Sequence, residues 1–449
     1  MENLSFFEKL NSWIANSITV KFISIGILIL LLLIPMSMIE NLIYERERTQ
    51  QSAINEVSDK WGHAQTIIGP ILKIPYRTYY KTKDGDGQDR IHEQIEEAYF
   101  LPEELSINGK IEPEMRHRGL YEVVVYQSSI KIEGSIKYPD FQDWNIDQKD
   151  IIWSEASLSV GIPDMRGIQE KVALSWNADK LDFNPGVMTP ALLKSGIHRN
   201  VEFKEDLQTY QFSLDIVLNG SRNLSFVPLG KETNVSIVSP WADPSFMGAF
   251  LPDSHSVSAD GFEAQWKVLH LNRNFPQKWR SNAQNFQDAS FGVDLLLPVD
   301  KYQKSIRSAK YAMLFIGLTF LVFFFVEIKN KIRIHPFQYI LVGLALCVFY
   351  ALLLSLSEHM LYGSAYALAS VGVIGIITAY STTVFHNRTL VMSMSGVLIM
   401  LYIFLYIILK SQDYALLIGS IALFFILAFV MYISRNINWY HHQNNDKPQ

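Results

Sequence analysis

Four charged residues, Arg307, Lys310, Glu358 and His359, stand where apolar runs of the chain begin or end. A carboxylate beside an imidazole that titrates near neutral pH, with two cations nearby, has the makings of a proton-sensing or substrate-guiding cluster. The same four groups serve equally as interfacial anchors around a structural ion pair, and that is the expectation adopted here. Elsewhere the recognisable catalytic signatures are missing. No Gly-x-x-x-x-Gly-Lys-Ser/Thr loop, His-Glu-x-x-His or Gly-x-Ser-x-Gly occurs. His92-Glu93-Gln94-Ile95-Glu96 opens like a zinc-protease motif but lacks its second histidine, so His92 reads as a surface residue of a strand. Asp143-x-Asn145-x-Asp147 has the first three ligand positions of a calcium loop. Gln148 and Ser154 then stand where the turn glycine and the closing glutamate are needed. Asp84-Gly85-Asp86-Gly87-Gln88-Asp89 has the acids but no closing glutamate, and Asp-Gly is itself a turn signal. No catalytic, cofactor or metal residue is assigned.

The elements that must position these charges are membrane helices. A bilayer core of roughly 30 Å takes about 20 apolar residues of helix. Val20–Ile39 satisfies this, and the Met36-Ser37-Met38-Ile39-Glu40 that ends it is a poor cleavage site, so it reads as a retained signal anchor. Further runs lie at Tyr311–Val326, Phe337–Leu356, Ser364–Phe385, Leu390–Leu409 and Tyr414–Ile433, giving about six transmembrane helices. Lys9, Lys21, Lys329, Lys331, Arg333, Arg388, Arg435 and Lys447 fall on one side, and among the short connections opposite only Lys410 is basic. The positive-inside rule then places both termini in the cytoplasm and residues 40–308 outside, in the periplasm of a bacterium. Ser5-Phe6-Phe7-Glu8 has capping-box spacing before Phe6, Leu10, Trp13 and Ser17, which suits either a helix lying on the inner leaflet or a frayed extension. No charge falls inside the predicted helix cores, which speaks against an ion-coupled transporter. The run from Ser364 to Gly375 is rich in small residues (Ala365, Ala367, Ala369, Ser370, Gly372), as close helix packing requires.

Between the first and second runs the pattern changes to strands. Residues 41–60 continue the first helix as a polar stalk, and after Gly69-Pro70 alternation of period two sets in. Tyr121–Tyr126, Ser129–Ile136, Ala156–Gly161, Lys171–Trp176, Asn234–Val238, Gly261–Leu271 and Phe291–Pro298 read as strands. Asn219-Gly220 between Tyr210–Leu218 and Asn223–Leu229 reads as a hairpin turn. The fold class is therefore an α+β membrane protein with a large, mostly antiparallel, sandwich-like β domain. Its parts are an inner-face segment and first helix (1–39), the exported domain (40–308, with a subdomain break near 139–150), five helices (309–433) and a cytoplasmic tail (434–449). A net charge of −5 with no basic face excludes a nucleic-acid partner. The single cysteine, Cys347, excludes an intramolecular disulfide framework and reads as an inert thiol within an apolar run.

Several blocks carry a resemblance. They are Leu31–Pro35, Gly69–Pro75, Asp164-Met165-Arg166-Gly167 and Trp241-x-x-Pro244-Ser245-Phe246-x-Gly248, followed by Pro298–Gln303, His335–Tyr339, Leu354–His359 and Ser434–Tyr440. With them the chain resembles the CreD family of bacterial inner-membrane proteins over nearly its whole length. The resemblance implies a place in an envelope-stress regulon under a two-component system, with links to envelope integrity, colicin tolerance and β-lactam response; it carries over no catalytic residue. Read physically, Asp164 and Arg166 suit a turn with an internal ion pair, and Trp241–Pro252 suits a bent segment packing aromatics on a sheet.

The expected function is a non-catalytic inner-membrane protein of envelope integrity and stress response, surrounded by membrane lipids, whose exported domain binds an envelope partner. Handling of a lipid or amphiphile at the domain–membrane junction is the second reading, and a membrane enzyme on wall or lipid precursors the third. The sequence leaves the oligomeric state open.

Overall fold

The computed structural model describes residues 18–83, 88–188, 192–204, 206–280, 284–295, 301–330, 332, 334–385, 387–411 and 414–435. The N-terminal capping box, residues 84–87 of one acidic loop, Pro298–Asp300, Lys331, Arg333 and the Asn436–Tyr440 block lie outside the described residues. The chain divides into two compact units, Gln51–Pro298 and a second made of Met1–Gln50 with Val299–Gln449. Residues 40–50 and 301–308 thus fall with the helices, so the β unit is narrower than the 40–308 expected.

The helical unit begins with α1 (Ile18–Trp61), which runs unbroken through Pro35 and through the alternating charges Glu45 to Arg48. Its last turns belong to the other unit. Next come α2 (Lys301–Lys310), α3 (Ala312–Asn330), α4 (Pro336–His359), α5 (Tyr362–Val384), α6 (Arg388–Lys410) and α7 (Ala415–Ser434). Among the described residues, α1 and α3 to α6 are the five helices long and apolar enough to cross a membrane, and α7 adds a shorter apolar stretch, Leu416–Tyr432. The helix α2 was not read from the sequence. Its buried residues Tyr302, Ser305, Ile306 and Ala309 recur at helical spacing and form one face. Packing is tight where α1 meets α4, since a Cβ on Gly343 would run into Leu32. Only half of the small-residue stripe on α5 is used this way. Ala365, Ala369 and Ser370 are buried, whereas Ala367, Gly372 and Gly375 are exposed.

The β unit contains β1 (Gln65–Lys83), β2 (Asp89–Phe100), β3 (Glu104–Arg118), β4 (Tyr121–Lys137), β5 (Ser157–Gly161) and β6 (Ala173–Trp176). It continues with β7 (Asp179–Asp182), β8 (Asn184–Pro185), β9 (Gly196–Asn200), β10 (Thr209–Ser221), β11 (Asn223–Phe226) and β12 (Glu232–Ser239). The remaining strands are β13 (Pro244–Gly248), β14 (Ser254–Ser258), β15 (Gly261–Leu269), β16 (Lys278–Arg280) and β17 (Phe291–Leu295). They form a nine-stranded sheet ordered β13-β17-β11-β1-β5-β9-β8, with β2 and β16 added beside β1, and an eight-stranded sheet ordered β14-β15-β12-β3-β4-β10-β6-β7. Pairing is antiparallel except between β1 and β11 and between β12 and β3. Alternation explains the layers, as in β12, where Thr233, Val235 and Ile237 are buried and Asn234 is exposed.

Two expectations are corrected here. No subdomain break falls at 139–150, because Phe141 and Ile151 belong to the same continuous apolar core as the strands around them. Asn219-Gly220 is not a hairpin turn. Both residues lie inside β10, paired with Gln127 and Tyr126 of β4, and the chain turns instead at Arg222, whose φ is 66°. β11 then enters the other sheet rather than returning beside β10. Glycine at 220 serves packing, since a Cβ there would strike the Tyr126 ring.

Ile132 lies in the central strand β4 and is fully buried. Ile132→Ala is expected to lower stability by about 2–5 kcal/mol, read as a lower thermal unfolding midpoint of the purified full-length protein.

Candidate functional site

The four junction residues do not form the cluster their sequence positions suggested. Glu358, in the last turn of α4, is about nine-tenths buried and turns toward α2 and α1. Tyr302 Oη donates to Glu358 Oε1 at 3.1 Å, and Arg46 Nε lies 3.8 Å from the same oxygen. One residue along α1, Glu47 Oε1 accepts from Gln303 Nε2 at 2.7 Å. Arg307 is half-buried, while Lys310 and His359 are exposed. Among the described residues none of these three forms an ion pair. The residues sequence reasoning missed here are Arg46 and Tyr302. The readable signal for Tyr302 was the amphipathic spacing of α2; Arg46 stood in the charged stalk with nothing to single it out.

At the other end of α3 a second polar group emerges. The helix continues past Val326, so Glu327 is a helical residue and only 2% exposed. Its Oε1 accepts from Lys21 Nζ at 2.6 Å and from the Ile334 N–H at 3.1 Å, and its Oε2 accepts from Tyr339 Oη at 2.9 Å. Glu327 stands in the last turn of α3 rather than deep in its core. A buried carboxylate is costly unless its oxygens find donors, and three meet them here. Lys21 on α1, Glu327 on α3, Ile334 before α4 and Tyr339 on α4 are thereby tied at one point.

In the β unit, Asp164 and Arg166 form the turn with an internal ion pair that the sequence suggested, and they do more. The Arg166 Nε and one terminal nitrogen donate to the two Asp164 carboxylate oxygens, each at 2.9 Å. Asp164 also accepts from the His63 N–H at 3.0 Å and the Arg166 N–H at 3.2 Å. The other terminal nitrogen of Arg166 donates to the Asp59 carbonyl at 2.7 Å. That carbonyl belongs to the last turn of α1, where carbonyls lack helical partners. Gln65 completes the arrangement, donating from Nε2 to the Asp164 carbonyl at 2.9 Å and the Asn219 carbonyl at 3.2 Å. The clamp thus grips the end of α1 and the start of β1 together. Glycine is required at the crossing. Gly62 has φ +143°, and a Cβ there would lie 2.6 Å from the Asn219 carbonyl oxygen. The guanidinium beside it and the backbone donors hold the Asp164 carboxyl down at about 2 despite its burial.

Trp241, Pro244, Ser245 and Phe246 belong to a different place, the outer edge of the nine-stranded sheet. Pro244, Ser245 and Phe246 start β13, opposite Leu295, Asp294 and Val293 of β17. The Phe246 ring packs edge-on against Phe262 at 5.9 Å and Trp266 at 5.8 Å, both on β15 of the other sheet. Trp241 Nε1 donates to the Asp243 carbonyl at 3.1 Å, within its own loop. The block therefore pins the two sheets together at one end. Burial pushes the carboxyl of Asp294, directly opposite Ser245, above its usual range. Asp143, Asn145 and Asp147 do not assemble a calcium loop: Asp143 pairs with Lys278 at 2.5 Å, Asp147 pairs with Lys149 at 3.1 Å, and among the described residues no cluster suited to a metal occurs.

With this geometry in view, comparison with known proteins is decisive for kinship. Residues 17–440 match the family model for inner membrane protein CreD. The inner membrane protein CreD of Escherichia coli (strain K12) is 32% identical over 422 residues, covering 92% of this chain and 91% of that protein. The chain belongs to the CreD family. It is accordingly a multi-pass inner-membrane protein with a β domain. Of the blocks that carried the resemblance, Asp164–Gly167 and Trp241–Gly248 occupy two different places in the β unit, and Leu354–His359 belongs to the helical unit.

Two outcomes follow for this family member. Asp164 titrates lower in the folded state than its ordinary value of 3.8, so its ionised form stabilises the fold. That contribution, about 2 kcal/mol, is present at neutral pH and is lost as pH falls through about 4 to about 2. Thermal unfolding of Asp164→Asn against the parent should show a gap at pH 7 that closes toward pH 2. In the helical unit, Lys21→Met leaves Glu327 buried without its cation and should cost roughly 3–5 kcal/mol. The double variant Lys21→Met/Glu327→Gln should recover part of that loss in the same measurement.

Proposed function

We propose that this CreD family member acts without catalysis in envelope integrity and stress response, its β unit standing outside the cytoplasmic membrane and engaging an envelope protein. One observation carries the non-catalytic half of this reading. The Asp164 carboxylate and the Arg166 guanidinium, the most chemistry-like pair in the β unit, are engaged with each other and with backbone groups of Asp59, His63 and Arg166. A general acid or base needs a proton-transfer partner within reach, and a group so engaged serves as a brace. The basic flanks Lys21, Lys329, Arg388 and Arg435 support cytoplasmic termini and an exported β unit.

The test is photocrosslinking in living cells from exposed positions of the β unit, such as Tyr80, Leu251 and Leu271, followed by mass spectrometry. A reproducible protein adduct from one patch is the expected result. Adducts with lipid alone, or none above background, would overturn partner binding and favour the amphiphile reading. In parallel, Glu358→Gln, His359→Ala and Arg166→Lys are expected to complement a deletion strain whenever abundance is normal. Loss of function at normal abundance would instead point to an enzyme. Cysteine labelling at Lys410 and Arg388 should report opposite sides of the membrane.

A further inference from the structure

The two sides of helix α2 differ completely. Tyr302, Ser305, Ile306, Ser308 and Ala309 are buried. The residues that remain are Lys301, Gln303, Lys304, Arg307 and Lys310, so the side left open carries cations and an amide with no acid among them. These cations follow one another at every third position along roughly 14 Å of helix. Like charges at that spacing repel and weaken a helix. Lys301 also stands in the first turn, where the helix dipole disfavours a cation. Among the described residues none of these cations has an ion pair. Lys304 Nζ lies 5.7 Å from the centre of the Tyr362 ring at the start of α5. The carboxylates that α2 engages, Glu358 and Glu47, are met by Tyr302 and Gln303 instead.

Position says what such a row is for. Only Tyr311 separates α2 from α3, and α2 meets the last turn of α4 at Glu358 and the first residue of α5 at Tyr362. The cations therefore stand where spans begin and end, which is the level of lipid headgroups. Lys21 and Lys329, which belong to the short basic flanks that orient the helices, lie at the far end of α3. The positive-inside bias thus does not account for the cations of α2. A helix with one side packed into the bundle and the other side cationic, held at headgroup level, is complementary to an anionic lipid surface. We propose that α2 is a binding site for anionic phospholipid, with Lys301, Lys304, Arg307 and Lys310 meeting headgroup phosphates of the adjacent leaflet. Arg307 offers a planar fork to phosphate oxygens, and the lysines act beside it as point charges. A zwitterionic phospholipid has the phosphate too, but its own ammonium cancels the charge, so the net anionic lipid is preferred. This site does not depend on the envelope-partner reading, which concerns the β unit.

The test titrates purified full-length protein in neutral detergent with phosphatidylglycerol or with phosphatidylcholine, and reads bound lipid by native mass spectrometry. Phosphatidylglycerol should bind more tightly than phosphatidylcholine. Each cation removed should weaken it about fivefold, so Lys304→Gln/Arg307→Gln should weaken it roughly 25-fold. The charge-keeping Lys304→Arg/Arg307→Lys should stay near the parent, as should Lys329→Gln/Arg388→Gln, which removes as many cations elsewhere. Without added lipid, Lys304→Gln/Arg307→Gln should unfold at the parent temperature or slightly above it, because a like-charge repulsion is gone. Should that variant fail to fold, Lys301→Gln/Lys310→Gln carries the same expectation. Inorganic phosphate at millimolar concentration should leave the lipid bound. The inference fails if the two lipids bind alike, or if the neutralised variants hold phosphatidylglycerol as the parent does. It fails equally if Lys329→Gln/Arg388→Gln costs as much, or if inorganic phosphate alone displaces the lipid.

Discussion

The β unit depends on how one helix is allowed to end. Helix α1 ends against a sheet, and its last carbonyls have no helical partners. Arg166 supplies a donor to the Asp59 carbonyl, and the bidentate grip of Asp164 fixes where that donor points. Planar guanidinium chemistry suits this task, because one side of the group binds the carboxylate while the other reaches the helix. Around this point Trp61 donates to the Tyr126 carbonyl at 3.1 Å and carries Arg116 over its ring, and Ser58 meets Ser221 at 2.8 Å. The crossing of Gly62 over Asn219 leaves no room for any other residue. β1 starts immediately afterwards and pairs with β11, β5 and β2 along its length, so its placement governs the nine-stranded sheet.

The helical unit uses the same economy with different groups. Its two buried carboxylates, Glu327 and Glu358, each draw a tyrosine from one helix and a cation from α1. A tyrosine hydroxyl can donate at the end of a long apolar ring, so it reaches a carboxylate without bringing another charge into a dry setting. Three helices are thereby fixed at each end of the bundle, while apolar contacts such as Phe349 against Tyr366 and Tyr402 fill the length between. Apolar packing alone gives helices in lipid little preference for rotation or register, and two polar ties supply it.

Much of this was legible in the residues, and the failures have physical causes. The membrane helices follow from length and hydropathy, which a bilayer imposes on every residue of a span. The boundary at Val326 failed because a charge ordinarily ends a span, whereas Lys21 and Tyr339, distant in sequence, make Glu327 tolerable inside one. The turn at Asp164–Arg166 was readable because its partners are two residues apart; its grip on Asp59 and His63, about a hundred residues earlier, was not. Asn219-Gly220 misled for a similar reason. Local turn chemistry pointed to a hairpin, but Gly220 answers to Tyr126 across the sheet, and tertiary contact overrode the local signal.

These corrections bear on what a motif means in such a chain. The Asp164, Trp241 and Glu358 blocks each looked like places for chemistry because polar and aromatic residues gather there. In the structure each gathers to close a joint: helix end to sheet, sheet to sheet, and helix to helix. Residues that close joints have their donors and acceptors already engaged, so they make poor reactive groups and good braces. Exposed apolar side chains of the β unit, such as Ile91, Leu251 and Leu271, lie apart from these joints. In the β1–β2 ribbon, Glu93 and Asp89 are matched by Arg77 and Lys81 of the neighbouring strand, while Ile91 and Ile95 stay exposed.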